Sequence, residues 1–240
     1  MASVIEIKDL KVGYGSKRVL DGLDLSVRQG EIFGFLGPNG AGKSTTIKAI
    51  LGLLPPVSGS VTLHGLNSSD PRSRSRVGYL PEETTYYRFL TATELLQFYG
   101  DVCGVPRDVQ KNRIPVLLET VGLSHVARKR LDTFSKGMVQ KVGLAQALVN
   151  DPETLILDEP TSGLDPLARM DLREVLKNLR AVGKTVFFSS HELSEVELLC
   201  DTIAIVKHGK LIKSGPTRQV LGAGTTSLEK FFLETIGERV

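Results

Sequence analysis

Between Gly37 and Thr45 the chain reads GPNGAGKST, preceded by the apolar run EIFGFL and followed by the helix-forming stretch TIKAILGLL. The spacing GxxxxGK[ST] is matched in full, and a strand before with a helix after is the context that gives it meaning. Gly37, Gly40 and Gly42 permit a tight turn whose backbone N–H groups face inward, with Pro38, Asn39 and Ala41 completing the loop. Such a cradle suits phosphate. Lys43 would then reach the β- and γ-phosphates of a nucleoside triphosphate, and Ser44, next to Thr45, would ligate Mg²⁺. A loop of this kind needs a strand that ends where a helix starts, so it argues for an α/β core.

The rest of the chain fits that core. Strand-like runs recur as VIEIKDL, EIFGFLG, SVTLHG, RVGYLPE, ETLILDEP, KTVFFSS and DTIAIVKHG. TLILD and TVFFS are continuously apolar, as in strands buried on both faces of a parallel sheet, whereas those near the N-terminus alternate, as in an antiparallel layer with one exposed face. Leu167, Met170, Val175, Leu176 and Leu179 are expected on one face of a helix starting at Pro166. Residues 91–150 carry helical patterns and no convincing strand. The expectation is one domain over 1–240. Residues 1–90 and 151–215 form its α/β core with an N-terminal β layer, 91–150 a helical subdomain inserted into it, and 216–240 a C-terminal helical tail.

Composition enters mainly as exclusion. With 41% hydrophobic and 24% charged residues a sizeable core is available, and a net charge of +3 is too small to imply a nucleic-acid or membrane surface. Cys103 and Cys200 show no metal-ligand spacing and lie in apolar stretches, which predicts buried thiols in a reducing compartment. MASVIEIKDL alternates like a strand, without the basic-then-apolar order of a signal peptide, and AILGLLPPV, the nearest thing to a membrane span, is cut by prolines. The chain is expected to be soluble by itself.

Three further places carry chemistry. TLILDEP puts Asp158 and Glu159 at the C-terminal end of a strand, where ligands of open α/β sheets bind. An acidic pair there can be a solvated loop, but beside a phosphate loop Asp158 reads as the metal-side acid and Glu159 as a base able to polarise a water. His191 follows the strand TVFFSS. It fits a structural residue or, if strand ends converge on one edge, a donor to the γ-phosphate. FSKGM, from Phe134, opens a helix in which Ser135 is placed as N-cap and Gly137 leaves amides uncovered, a plausible second anion site or simply a capped helix.

GPNGAGKST, FSKGM, TLILDEP, SGLDP and SSH, in this order over essentially the whole chain, resemble the ATP-binding subunit of ABC transporters, most closely in motif the ATPases of bacterial ABC-2-type exporters. The resemblance implies a P-loop NTPase core with an antiparallel β layer and an inserted helical subdomain, ATP and Mg²⁺ as cofactors, and ATP hydrolysis as the activity. It implies two such chains head to tail, identical or different, the signature at Ser135, Gly137 and Met138 of one closing over the ATP held by the other. Tyr14 matches the adenine-stacking aromatic, Glu82 the glutamine that links the metal to the permease, Asp165 the dimer-facing loop acid and His191 the switch histidine. Two departures stand out: the signature reads SKGM where SGGQ is usual, and Glu82 replaces Gln.

The expected output is transport, in the export direction, through a separate membrane-spanning permease, with the chain peripheral at the cytoplasmic face of the membrane. A soluble relative acting on nucleic acid or ribosomes is the alternative. It is disfavoured by the weak net charge and by the lack of tandem domains, long coiled coils or zinc elements, so no nucleic-acid partner is expected. The clusters Arg72, Arg74, Arg76 and Arg128, Lys129, Arg130 read as solvated loops, with lipid headgroup contact as the sharper reading.

Overall fold

The computed structural model describes residues 2–15, 17–221 and Phe232. It comprises two compact units, one of residues 1–75 and 185–240, the other of residues 76–184.

The first unit starts with β1 (Ser3–Tyr14) and β2 (Lys17–Arg28), then β3 (Ile32–Leu36), α1 (Lys43–Ile50), β4 (Ser58–Leu63) and β5 (Leu66–Asn67). β2, β1, β4 and β5 form a four-stranded antiparallel sheet in that order. Its register shows how the sequence is accommodated. Ile5 and Ile7 bury one face of β1, and strict alternation would send Leu10 and Val12 to the other. The β1–β2 register shifts between Ile7 and Leu10, where Asp9 has φ 44° and donates its N–H to Asp24 Oδ1. This bulge adds one residue to the count, and all four side chains stay buried.

The chain returns to this unit as β8 (Thr185–Ser190), α6 (Leu193–Leu199), β9 (Thr202–Lys207), β10 (Lys210–Pro216) and α7 (Thr217–Leu221). β3 lies parallel to both β8 and β9, and β10 runs antiparallel to β9. Every residue of β3 and β8 is buried, which explains their unbroken apolar runs. Phe33 stacks on Phe187 with ring centroids 5.7 Å apart, and Phe35 lies 5.6 Å from the same ring. Gly34 lets α6 approach: a Cβ there would sit 2.7 Å from Cys200 Sγ.

In the second unit β6 (Val77–Leu80) lies parallel to β7 (Thr154–Asp158), with α2 (Ala92–Val102), α3 (Arg107–Thr120), α4 (Lys136–Ala147) and α5 (Pro166–Ala181). Between 92 and 147 the described residues form helices and 3-10 turns, with no named strand. Thr91 starts α2 with a capping box, its hydroxyl accepting from Glu94 N–H while the Glu94 carboxylate accepts from Thr91 N–H. α5 needs a correction. Its buried stripe is Leu172, Val175, Leu176 and Leu179, at i, i+3, i+4 and i+7, whereas Leu167 and Met170 are exposed. At 100° per residue both lie on the far side of the helix from Leu172.

The basic loop 72–76 is tied down residue by residue. Arg72 pairs with Asp70 at 2.7 Å, Arg74 donates to the carbonyls of Leu51 and Ser68, and Arg76 pairs with Glu153. The expected tail over 216–240 begins with α7, and its part beyond Leu221 lies, apart from Phe232, outside the described residues.

The two cysteines differ, against the expectation that both are buried. Cys200 is buried and its thiol is pushed well above the usual range by desolvation and then by the charges of Asp201 and Glu31, whereas Cys103, at the end of α2, is exposed. Ellman's reagent should therefore modify Cys103 in the native protein, and Cys200 only after denaturant is added. Equal native reactivity of both would contradict the packing of α6 on β3.

Candidate nucleotide site

In the first unit the loop 37–45 connects β3 to α1. Gly42 is the N-cap of α1 at φ 106°, where an L side chain is strained, and a Cβ would also lie 2.6 Å from Leu20 Cδ2. No side chain caps this helix start. Its first N–H groups thus remain available to an anion, with the positive end of the helix dipole behind them. The loop is held from outside by Gly209 N–H, which donates to Ala41 O at 3.0 Å, and from inside by Ala41 N–H donating to Pro38 O.

Lys43 is buried. Its ammonium donates to Gly37 O at 2.7 Å and more weakly to Pro38 O at 3.4 Å. The charge therefore sits inside the ring of the loop, poised beside the helix start. Asn39 and Gly40 are exposed at the loop tip, while Ser44 and Thr45 are half-buried on the first turn.

His191 reaches the same sheet edge. In the parallel β3–β8 register Leu36 pairs with Ser190, so the next residues, Gly37 and His191, leave the sheet side by side. Ser190 Oγ accepts the N–H of Glu192, which shapes the turn that carries the histidine. Tyr14 ends β1 and is 49% exposed.

The acidic residues belong to the second unit. β7 is buried throughout, and at its end Asp158 and Glu159 are 4% and 5% exposed. Glu159 adopts φ 49°, a left-handed conformation that costs a non-glycine residue about 1 kcal/mol or more. Leu80 pairs with Leu157 in the parallel β6–β7 register, so Pro81 and Glu82 leave β6 alongside Asp158 and Glu159. Glu82 is exposed there. Tyr79, inside β6, has its hydroxyl pushed up to about 12, by burial first and then by the charge of Asp158.

Two capped helix starts adjoin each other in this unit. Ser135 caps α4, its hydroxyl accepting from Met138 N–H at 3.3 Å, and Asp165 caps α5, accepting from Ala168 N–H at 2.9 Å. Gly137 makes the approach possible: a Cβ there would lie 3.2 Å from Ala168 Cβ. The Lys141–Asp171 ion pair at 2.7 Å joins the same two helices one turn further on. Ser135 remains exposed at the surface.

Two contributors have no signal in the sequence. Gly209 acts through its backbone alone. Lys136, one of the unusual signature residues, lays the flexible end of its side chain over Gly163.

Comparison with known proteins agrees with this assembly of motifs. The family model described as ABC transporter matches residues 20–162, more than half of the chain. An uncharacterised ABC transporter ATP-binding protein of Nostoc sp. is 50% identical over 86% of this chain and 62% of its own length. A second, from Synechocystis sp., is 48% identical over 83% of this chain and 57% of its own length, so the chain spans about three fifths of these two relatives. The bacitracin transport ATP-binding protein BcrA of Bacillus licheniformis is 42% identical, over 90% of this chain and 71% of its own. Among solved structures, an ATP-binding subunit of an ABC transporter superposes with a TM-score of 0.86 at 34% identity, covering 97% of this chain and 99% of that one. With the phosphate loop, the strand-end acids and the capped signature helix all present, the chain belongs to the ABC transporter family, among its ATP-binding proteins.

Proposed function

We propose that the chain is an ATPase subunit that dimerises around two MgATP and drives export through a separate membrane-spanning permease. The observation that carries this reading is the loop 37–45, with an uncapped helix start and a buried Lys43 ammonium held inside it. Relatives named for linearmycin resistance, bacitracin transport and Nod factor export support the direction of transport.

The loop amides and Lys43 bind the β- and γ-phosphates, and Tyr14 stacks on the adenine. Ser44, Asp158 and Glu82 are the residues that would supply oxygen donors to Mg²⁺, directly or through water. The donor set suits the ion: Mg²⁺ is typically held by one or two carboxylates together with phosphate oxygens. A Mg²⁺ ion held there would supply positive charge against the phosphates. Glu159 orients and polarises the attacking water, and His191 donates to the γ-phosphate.

The exposed helix start at Ser135, with Gly137, Met138 and Asp165, serves the nucleotide of the second chain. Hydrolysis removes the γ-phosphate that bridges the two, and the pair separates. A homodimer and a heterodimer use this geometry equally. The second unit also exposes Tyr87, Phe89 and Phe98, whose rings touch at centroid distances of 5.8 and 6.3 Å. An aromatic cluster of this kind, close in sequence to Glu82, is a surface for the permease. No described helix is long and apolar enough to cross a membrane. Attachment at the cytoplasmic face goes through that partner.

The test is a pull-down from solubilised native membranes with MgATP and the Glu159→Gln chain. Recovery of a stoichiometric multi-spanning protein is the expected result. Ribosomes or nucleic-acid proteins in its place would move the output to a soluble machine.

A further inference from the structure

The second unit contains a cavity of about 510 Å³ that the nucleotide chemistry does not use. It lies along one face of α3, and its floor is apolar: Ile114 and Leu118 are buried, with Pro115 and Ala127 beside them. Its rim is cationic. Arg107, Lys111 and Arg128 line the opening, and no acidic residue does. The sequence pattern explains the arrangement, since Arg107, Lys111, Ile114 and Leu118 are spaced by four, three and four residues and fall on one side of the helix.

The three cations are not equivalent. Arg107 is neutralised by its pairing with Asp101. Lys111 and Arg128 have neither an ion pair nor a side-chain hydrogen bond among the described residues, and both are exposed at the mouth.

A volume within the range of small-molecule sites, an apolar floor and two uncompensated cations at the mouth define the chemistry of the occupant. We propose that this cavity binds an amphiphilic anion, an alkyl chain on the Ile114–Leu118 floor with a carboxylate or phosphate head between Lys111 and Arg128. Arg128 thereby acquires a role beyond that of a solvated loop residue. The site is independent of the nucleotide reading, because none of its residues belongs to the phosphate loop, the strand ends or the signature.

The test titrates the full chain by calorimetry with decanoate and with decyltrimethylammonium, both below their critical micelle concentrations. The two probes share a tail and differ in the sign of the head. Saturable binding of decanoate is expected, with the cationic probe at least roughly ten-fold weaker. Lys111→Glu with Arg128→Glu, both at the surface, should reverse that preference, and Leu118→Trp should fill the floor and weaken both probes. Circular dichroism establishes that each variant is folded. Equal affinity for the two probes, no saturable binding, or binding unchanged by the charge reversal would overturn the proposal. A free lipid and a small phosphate are told apart by repeating the titration with inorganic phosphate, which lacks the tail and is expected not to bind.

Discussion

Glu159→Gln is expected to bind MgATP as the native chain does and to hydrolyse it slower by a factor on the order of 10²–10⁴, the usual contribution of a positioned general base. The substitution is close to isosteric, so the buried position and the backbone at φ 49° are kept, while the carboxylate that would polarise the water is lost. Binding and turnover should therefore separate cleanly. With hydrolysis blocked, the γ-phosphate bridge persists, and light scattering should report a dimer in ATP that reverts to monomer in ADP. A chain that stays monomeric in ATP would refute the bridging model. Undiminished hydrolysis would instead move the base to another residue and leave the bridge standing.

Features set by local chemistry are legible in the sequence itself. The phosphate loop is one contiguous segment, and its glycines, its lysine and its flanking strand and helix are all written within about twenty residues. β3, β7 and β8 are buried on both faces, so their apolar runs are continuous and easy to find. The strands that lack a clear run have the opposite character. β10 is an edge strand with no fully buried residue, so little of its sequence is constrained by burial. β2 alternates between buried and exposed residues from Leu23 to Arg28, but its first half, from Lys17 to Gly22, buries only Leu20. The bulge at Asp9 and the position of Lys136 over Gly163 depend on a partner far along the chain, which periodicity cannot supply. Cys103 departs from expectation because an apolar stretch need not be a buried one; it ends α2 on a turn exposed with Val102.

Mixing two inactive chains should restore ATP turnover. Lys43→Ala removes the ammonium held by Gly37 O and Pro38 O at the centre of the loop, and nucleotide affinity should fall on the order of 100-fold or more. Ser135→Arg puts a bulky side chain at an exposed helix start and deletes the hydroxyl that accepts Met138 N–H. It should leave nucleotide binding to the isolated chain intact, since Ser135 serves the partner's nucleotide, yet abolish turnover. Neither homodimer then has a working site. In a heterodimer one site inherits both lesions, while the other pairs the intact loop of the Ser135→Arg chain with the intact signature of the Lys43→Ala chain. An equimolar mixture that associates at random contains heterodimers in half its dimers, each with one of two sites competent. Recovery to about a quarter of native turnover is expected if the sites act independently, and less if both must fire together. No recovery, with association of the two variants demonstrated by cross-linking, would mean that the sites are strictly coupled or that Ser135 acts within its own chain. Where turnover does return, adding Glu159→Gln to the Ser135→Arg chain checks which loop carries it. In a composite site it should abolish the recovered activity, because that chain supplies the only competent phosphate loop, whereas the same change in the Lys43→Ala chain should leave it untouched.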